Sequence, residues 1–120
     1  MSVDAVIKTL VVRRSEARYV LVCLPGSRTI DWGKLRGQLA ERRLSMPDAD
    51  EALDATGYER GTITPFGATG GWPVIVDTSL LAEQSVAIGG GAHGVSIILH
   101  PAALVATLAA DVADVSRPAS

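Results

Sequence analysis

Runs of aliphatic residues alternate along the chain with short polar or glycine-containing breaks, and these runs set the expected elements. Ala5 to Arg13 is rich in β-branched and aliphatic residues and predicts a strand. After the polar break Arg14-Ser15-Glu16, Ala17 to Leu24 predicts a second strand ended by Pro25-Gly26. Two adjacent strands with so short a connection predict a hairpin. Asp31 is placed to cap a short helix through about Ala40, with Trp32, Leu35 and Leu39 on one face. Glu41 to Met46 reads as a further short strand. Pro47-Asp48 then opens a helix over 50–56, and Gly57 falls where a left-handed C-cap residue belongs.

From Gly57 to Gly71 the composition turns to Gly, Thr and Pro, which predicts a long loop; long ordered loops tend to carry function. Trp72 to Val76 reads as a buried strand. Asp77-Thr78 caps one or two turns of helix around Leu80 and Leu81. Val86 to Ile88 is strand-like and ends in Gly89-Gly90-Gly91. Val95 to Leu99 is another apolar strand, His100-Pro101 starts a helix through about Ala110, and Val112 to Val115 closes the domain. The connections are too short for regular βαβ repeats. The expected fold is α+β: one compact domain over residues 1–120, with a mixed, strongly curved, barrel-like sheet flanked by short helices.

Composition adds limits. At 120 residues the chain matches a single domain of roughly 100–150 residues. A hydrophobic fraction of 48% with 20% charged residues excludes disorder, and only 4% aromatics leaves the core to Val, Leu, Ile and Ala. Cys23 is alone, so no internal disulfide forms, and a reducing compartment is expected. No basic-then-apolar leader follows Met1 and no apolar run approaches ~18 residues, so the expected location is the cytoplasm, away from membranes. The net charge of −2 and pI of about 5.6 give no footprint for broad nucleic-acid binding. Arg13, Arg14 and Arg18, and again Arg42 and Arg43, read as solvated faces, with room for local contact to a few phosphates at most.

Three features carry candidate chemistry. Lys8 interrupts an apolar strand; Val6, Lys8 and Leu10 share one face, and Ile7, Thr9 and Val11 the other. If the Val6 face is inner, the ammonium points into the interior and marks a site, since a buried lysine is costly without partners. The alternative is an edge lysine that discourages aggregation. In the loop, Gly57, Gly61, Gly67, Gly70 and Gly71 permit close backbone approach and Pro65 stiffens it, so its N–H groups could hold an oxyanion, a phosphate or a ribose. A purely structural loop is the other reading. Gly89-Gly90-Gly91-Ala92-His93-Gly94 leaves His93 at a turn, where a lone histidine is more often a surface residue than a catalyst. His100 neighbours a helix start and is assigned no role.

Other chemistries fit poorly. No Gly-Lys-Ser/Thr follows the loop and no dinucleotide fingerprint is present, so no nucleotide cofactor is expected. One cysteine and two histidines at these spacings match no metal-ligand pattern, so no metal is expected. Cys23 lies in an apolar strand, where a raised thiol pKa is expected, and no Gly-x-Ser-x-Gly elbow occurs.

The chain resembles the YbaK/EbsC aminoacyl-tRNA deacylases, which are related to the editing domain inserted in bacterial prolyl-tRNA synthetases. The matching pieces are Ile7-Lys8-Thr9-Leu10-Val11, the stretch from Thr56-Gly57-Tyr58 to Pro65-Phe66-Gly67, Pro73-Val74-Ile75-Val76-Asp77, Gly90 to Ile97, Pro101 to Leu104, and Val112 to Val115. They span nearly the whole chain in one order. The resemblance implies a YbaK-like fold and a trans-editing hydrolase that cleaves the ester of mischarged aminoacyl-tRNA. The substrate would be a small amino acid on a prolyl-type tRNA. Lys8 matches the family's active-site lysine, and Gly61 to Pro65 matches its Gly-x-x-x-Pro loop, whose backbone engages the terminal adenosine and the ester. Lys8 and Gly61 are thus the expected catalytic positions. Thr62, Ile63, Thr64, Pro65, Phe66, Gly90, Gly91, His93 and Ser96 are the expected substrate-binding ones. No protein nucleophile is implied: water attacks the ester, or in cysteine-specific members the substrate thiol does.

Against that family the chain starts close to the lysine strand, without the usual N-terminal helix and strand. The pocket-lining tyrosine of the cysteine-specific subgroup lies in those elements, and Ser96 stands where that subgroup has aspartate. Strict Cys-tRNA specificity is therefore not expected. The implied partners are the CCA end of aminoacyl-tRNA and a prolyl-tRNA synthetase, with the protein a monomer or weak homodimer. The alternative function is a non-catalytic YbaK-like module that binds tRNA ends, nucleotides or a protein partner.

Overall fold

The computed structural model describes residues 2–15, 17–58, 63–66, 71–91 and 94–119. Its centre is the hairpin expected from the first two apolar runs: β1 (Ile7–Ser15) pairs antiparallel with β2 (Arg18–Pro25), Lys8 opposite Leu24 and Thr9 opposite Cys23. The left-handed Ala17, with φ of 57°, sits in the two-residue connection. Parallel to β2 lies β4 (Val74–Asp77), and parallel to β4 lies β7 (Asp111–Ala113), giving a mixed sheet in the order β1-β2-β4-β7.

Both faces of this sheet are covered, which explains the unbroken apolar run of β2. Ile7, Val11, Tyr19, Leu21, Cys23, Val74 and Val76 face one core. That core is completed by Ala52 and Ala55 of helix α2 (Ala49–Thr56), Leu80, and Leu104 of helix α3 (Pro101–Leu108). Val12, Val20, Val22, Leu24 and Ile75 face the other, with Leu35 of helix α1 (Trp32–Leu39), Ile30, Ala113 and Val115. Such two-sided burial contributes about 1.5–3 kcal/mol per large aliphatic side chain, before entropy is counted.

The capping residues read from the sequence all act. Asp31 accepts from the Lys34 N–H at 3.1 Å and Asp48 from the Glu51 N–H at 2.8 Å. Gly57 ends α2 with φ of 80°, where a side chain would be strained. Asp77 caps the 3₁₀ turn Thr78–Ala82. His100 is itself the N-cap of α3, its Nδ1 accepting from the Ala102 N–H at 3.1 Å.

Two expectations are corrected, the barrel-like sheet and the strand at 41–46, and two features are new. The sheet is mixed but does not close: β1 and β7 are its edges, so it is not barrel-like. Two further ribbons stand apart from it, β3 (Arg28–Ile30) with β8 (Ser116–Pro118), and β5 (Val86–Gly89) with β6 (Ser96–Leu99). The β3–β8 pair was not anticipated, because it rests on a contact between distant residues: Arg28 Nε donates to Ser116 Oγ at 2.6 Å. Residues 41–46 form no strand; their one backbone bridge to β1 among the described residues is Arg13–Ser45, beside the Arg14–Glu41 ion pair. Finally, β6 is apolar yet largely exposed, with Ile98 65% accessible.

Candidate active site

The two bridges on the outer edge of β1 define the site. Val6 bridges to Ala87 near one end, and Arg13 bridges to Ser45 near the other. At the second bridge the Arg13 N–H donates to Ser45 O at 2.8 Å, and the Ser45 N–H donates back to Arg13 O at 3.2 Å. Backbone groups of a strand alternate sides, so the N–H and C=O of Val11 and Thr9 point to this same edge, away from β2. Between the bridges lies a cavity of about 330 Å³, lined by residues 7–11 of β1 and by Met46, Pro47, Ala52, Ile63 and Gly89. Its size falls in the lower range of small-molecule sites, ~300–1,000 Å³.

Lys8 is the one charged residue among those lining it. It lies on the face of β1 that carries Leu10 and Val12, beyond the end of the second core, and is partly buried. Both faces of β1 turn out to be inner faces, while Val6 itself is 44% exposed. Among the described residues the ammonium makes no hydrogen bond or ion pair. A partly desolvated cation beside aliphatic walls and outward-facing edge amides can attract a phosphate, a carboxylate or a developing oxyanion.

The other expected site residues fall into three groups. Ile63 lines the cavity with Lys8. Thr64 and Pro65 are buried and Phe66 packs against the first core, so their side chains hold the loop in place. Thr64 Oγ1 accepts from the Phe66 N–H at 3.4 Å. Gly90 and Gly91 follow the cavity-lining Gly89, and Ser96 is exposed on β6 opposite Gly89. Gly61, Thr62 and His93 lie outside the described residues.

One organiser was missed as such. Tyr58 donates its hydroxyl to Phe66 O at 2.9 Å, and a Cβ added to Gly91 would lie 2.9 Å from Tyr58 Cε1. The tyrosine therefore clamps the loop against the glycine turn, and Gly91, at φ of 93°, is needed for both conformation and space. Gly90 is tight too, since a Cβ there would meet Val95 Cγ1 at 2.6 Å. The available signal was a lone aromatic just after the helix-ending Gly57, too weak to specify two contacts.

Cys23 is fully buried, and burial pushes its thiol up to about 12, with only the Thr9 hydroxyl at 3.8 Å in opposition. It is no nucleophile at neutral pH. Among the described residues no three of His, Cys, Asp or Glu gather as metal ligands, and no helix is long and apolar enough to cross a membrane.

An α+β scaffold holding a lysine in an apolar cavity beside a strand edge defines a domain suited to bind a small ligand. The model of the aminoacyl-tRNA editing domain matches residues 1–107, and the chain belongs to that family. A protein of Enterococcus faecalis provisionally named Cys-tRNA(Pro)/Cys-tRNA(Cys) deacylase EbsC is 25% identical over 83% of this chain, which spans 61% of that protein. A proline–tRNA ligase of Thermosipho africanus is 27% identical over 71% of this chain, which spans only 15% of the ligase. A crystal structure of a protein described provisionally as a trans-editing enzyme for prolyl tRNA synthetase superposes with a TM-score of 0.91. It is 26% identical, over 97% of this chain and 73% of that one.

Proposed function

We propose that the protein is a trans-editing hydrolase that cleaves the ester joining a small amino acid to a prolyl-type tRNA. The observation that carries this reading is Lys8, held partly buried and unpaired among the described residues, in an apolar cavity that also contains Ile63 of the glycine-rich loop. Family membership supplies the substrate class, and the naming of the relatives favours prolyl acceptors.

An aminoacyl ester is already activated, so positioning and oxyanion stabilisation supply most of what hydrolysis needs. In the proposed reaction water adds to the ester carbonyl, whose oxygen takes the developing charge. The Lys8 ammonium and backbone N–H groups, from the edge of β1 and from the loop at Gly61, offset that charge. The C–O bond to the ribose then breaks, the ribose oxygen takes up a proton, and the amino acid leaves. Cys23 takes no part. The cavity admits a small uncharged side chain, which serves editing because a synthetase cannot exclude smaller amino acids by binding alone. Ser96, exposed on β6, places no carboxylate at the pocket, so Ala-tRNA is expected to be hydrolysed at least as fast as Cys-tRNA.

The test is a deacylation time course against mischarged tRNAs, prolyl acceptors foremost, for wild type, Lys8→Ala and Lys8→Gln. Hydrolysis of one or two small aminoacyl groups is expected, slowed on the order of a hundredfold or more by either change, as for loss of an oxyanion partner. No activity above spontaneous hydrolysis from folded wild-type protein would refute the proposal.

A further inference from the structure

Away from the cavity, an open groove of about 870 Å³ is lined by Arg13, Arg14, Arg36, Arg42 and Arg43, with Glu41 the one acid among its lining residues. Five arginines against one glutamate give the groove a formal charge of +4, in a chain whose net charge is −2. The remainder of the protein therefore carries −6, so the cationic character is concentrated here. Two arginines are engaged: Arg14 with Glu41 at 3.2 Å, and Arg13 with Glu51 at 3.4 Å. Arg36, Arg42 and Arg43 are exposed and form no ion pair among the described residues.

Arg36, in the last turn of α1, has a local role available, since a cation there complements the helix dipole. Arg42 and Arg43 do not, because the helix has already ended at the left-handed Ala40. Their segment is nonetheless fixed, by the double hydrogen bond between Ser45 and Arg13. Like charges held together without counter-charges repel one another, which favours an anionic ligand as the groove's occupant.

The groove also shares its walls with the candidate active site. Arg13 and Lys8 are on one strand, and Ser45 of the groove precedes Met46 and Pro47 of the cavity. Lys8 and Arg13 lie five steps apart along the strand, about 17 Å. That is the length of about five stacked nucleotides at ~3.4 Å each.

We propose that this arginine groove binds the sugar-phosphate backbone of the RNA whose 3′ end enters the cavity, with Arg36, Arg42 and Arg43 as its phosphate contacts. The identity of the RNA rests on the editing reading; the phosphate chemistry of the groove does not. An acidic protein partner would be served equally by the charge, but would not account for the continuity with the cavity.

The experiment measures binding of an uncharged acceptor-stem RNA hairpin ending in CCA, by fluorescence anisotropy over a salt series. It compares wild type with the triple variant Arg36→Gln/Arg42→Gln/Arg43→Gln, its triple Lys counterpart, the three single Gln variants and Arg18→Gln, which lies outside the groove. The triple Gln variant is expected to bind roughly tenfold or more weakly, with the log–log salt slope reduced by about 2–3. Each single change lowers the slope by about 1, which keeps the test decisive if the triple variant unfolds. The Lys counterpart keeps most of the slope. Affinity and slope unchanged in the Gln variants, or reduced no more than by Arg18→Gln, would overturn the proposal. RNA bound through the groove without any ester hydrolysis would uphold this inference and sink the editing reading. Hydrolysis at unchanged KM in the triple variant would do the reverse.

Discussion

Asp77 ties three parts of the chain together, and its removal should cost more than that of any surface carboxylate. The side chain is only 1% exposed at the end of β4. Its Oδ1 accepts the Val115 N–H at 3.0 Å, and its Oδ2 accepts the Ser79 N–H at 3.2 Å together with the Ser79 hydroxyl. Burial pushes its pKa up, but the bonds from Ser79, Val115 and Ser116 outweigh it and hold the carboxyl below its usual value. Asp77→Ala strands the N–H of fully buried Val115, at about 1–3 kcal/mol, and deletes a helical cap worth about 1 kcal/mol. The expected loss is about 2–4 kcal/mol, or roughly 8–16 °C in Tm for a chain of this size. Asp77→Asn keeps one acceptor oxygen and should lose about half as much. Urea unfolding followed by circular dichroism at pH 7 measures all three proteins.

The pH dependence is a second arm of the same test. A depressed carboxyl stabilises the fold above its unfolded pKa of ~3.9, and that stabilisation disappears as pH falls through the lower folded value. The amide of Asp77→Asn does not titrate, so the gap between wild type and Asp77→Asn should be full at pH 7 and shrink only below about pH 4. An Asp77→Ala protein within about 0.5 kcal/mol of wild type at pH 7 would show the bookkeeping of buried donors to be wrong here.

Other outcomes follow from the clamp beside the site and from the buried thiol. Gly91→Ala forces a side chain into the left-handed region and against Tyr58, so urea unfolding should show a loss of about 1–2 kcal/mol. Tyr58→Phe removes one hydrogen bond, about 0.5–1.5 kcal/mol, and should speed amide hydrogen exchange at residues 63–66 more than in β2. Cys23, with its pKa near 12, should resist a thiol reagent at pH 8 in the folded protein and react readily in urea; fast labelling of folded protein would contradict its burial.

Features decided within a few residues were legible from the sequence, because their partners lie within one turn of chain. The caps at Asp31, Asp48, Gly57 and Asp77 are of this kind, as is the β1–β2 hairpin, whose apolar runs leave little freedom of register. Lys8 stood out for the same reason: a charge inside an aliphatic strand is locally anomalous. Pairings across long stretches of sequence were decided by the tertiary structure. Three-residue strands such as β3 and β8 carry too little pattern to announce themselves, and Arg28 meets a Ser116 that lies 88 positions away along the chain. Whether the sheet closes depends on which edges remain free, and that is a property of all its strands at once. The same dependence made the β1 edge a cavity wall, made Tyr58 a clamp, and gathered arginines from a strand, a helix end and a loop into one groove. In the sequence those arginines are scattered charges on separate segments, and only packing, which fixes the distance between segments, gives them a common field.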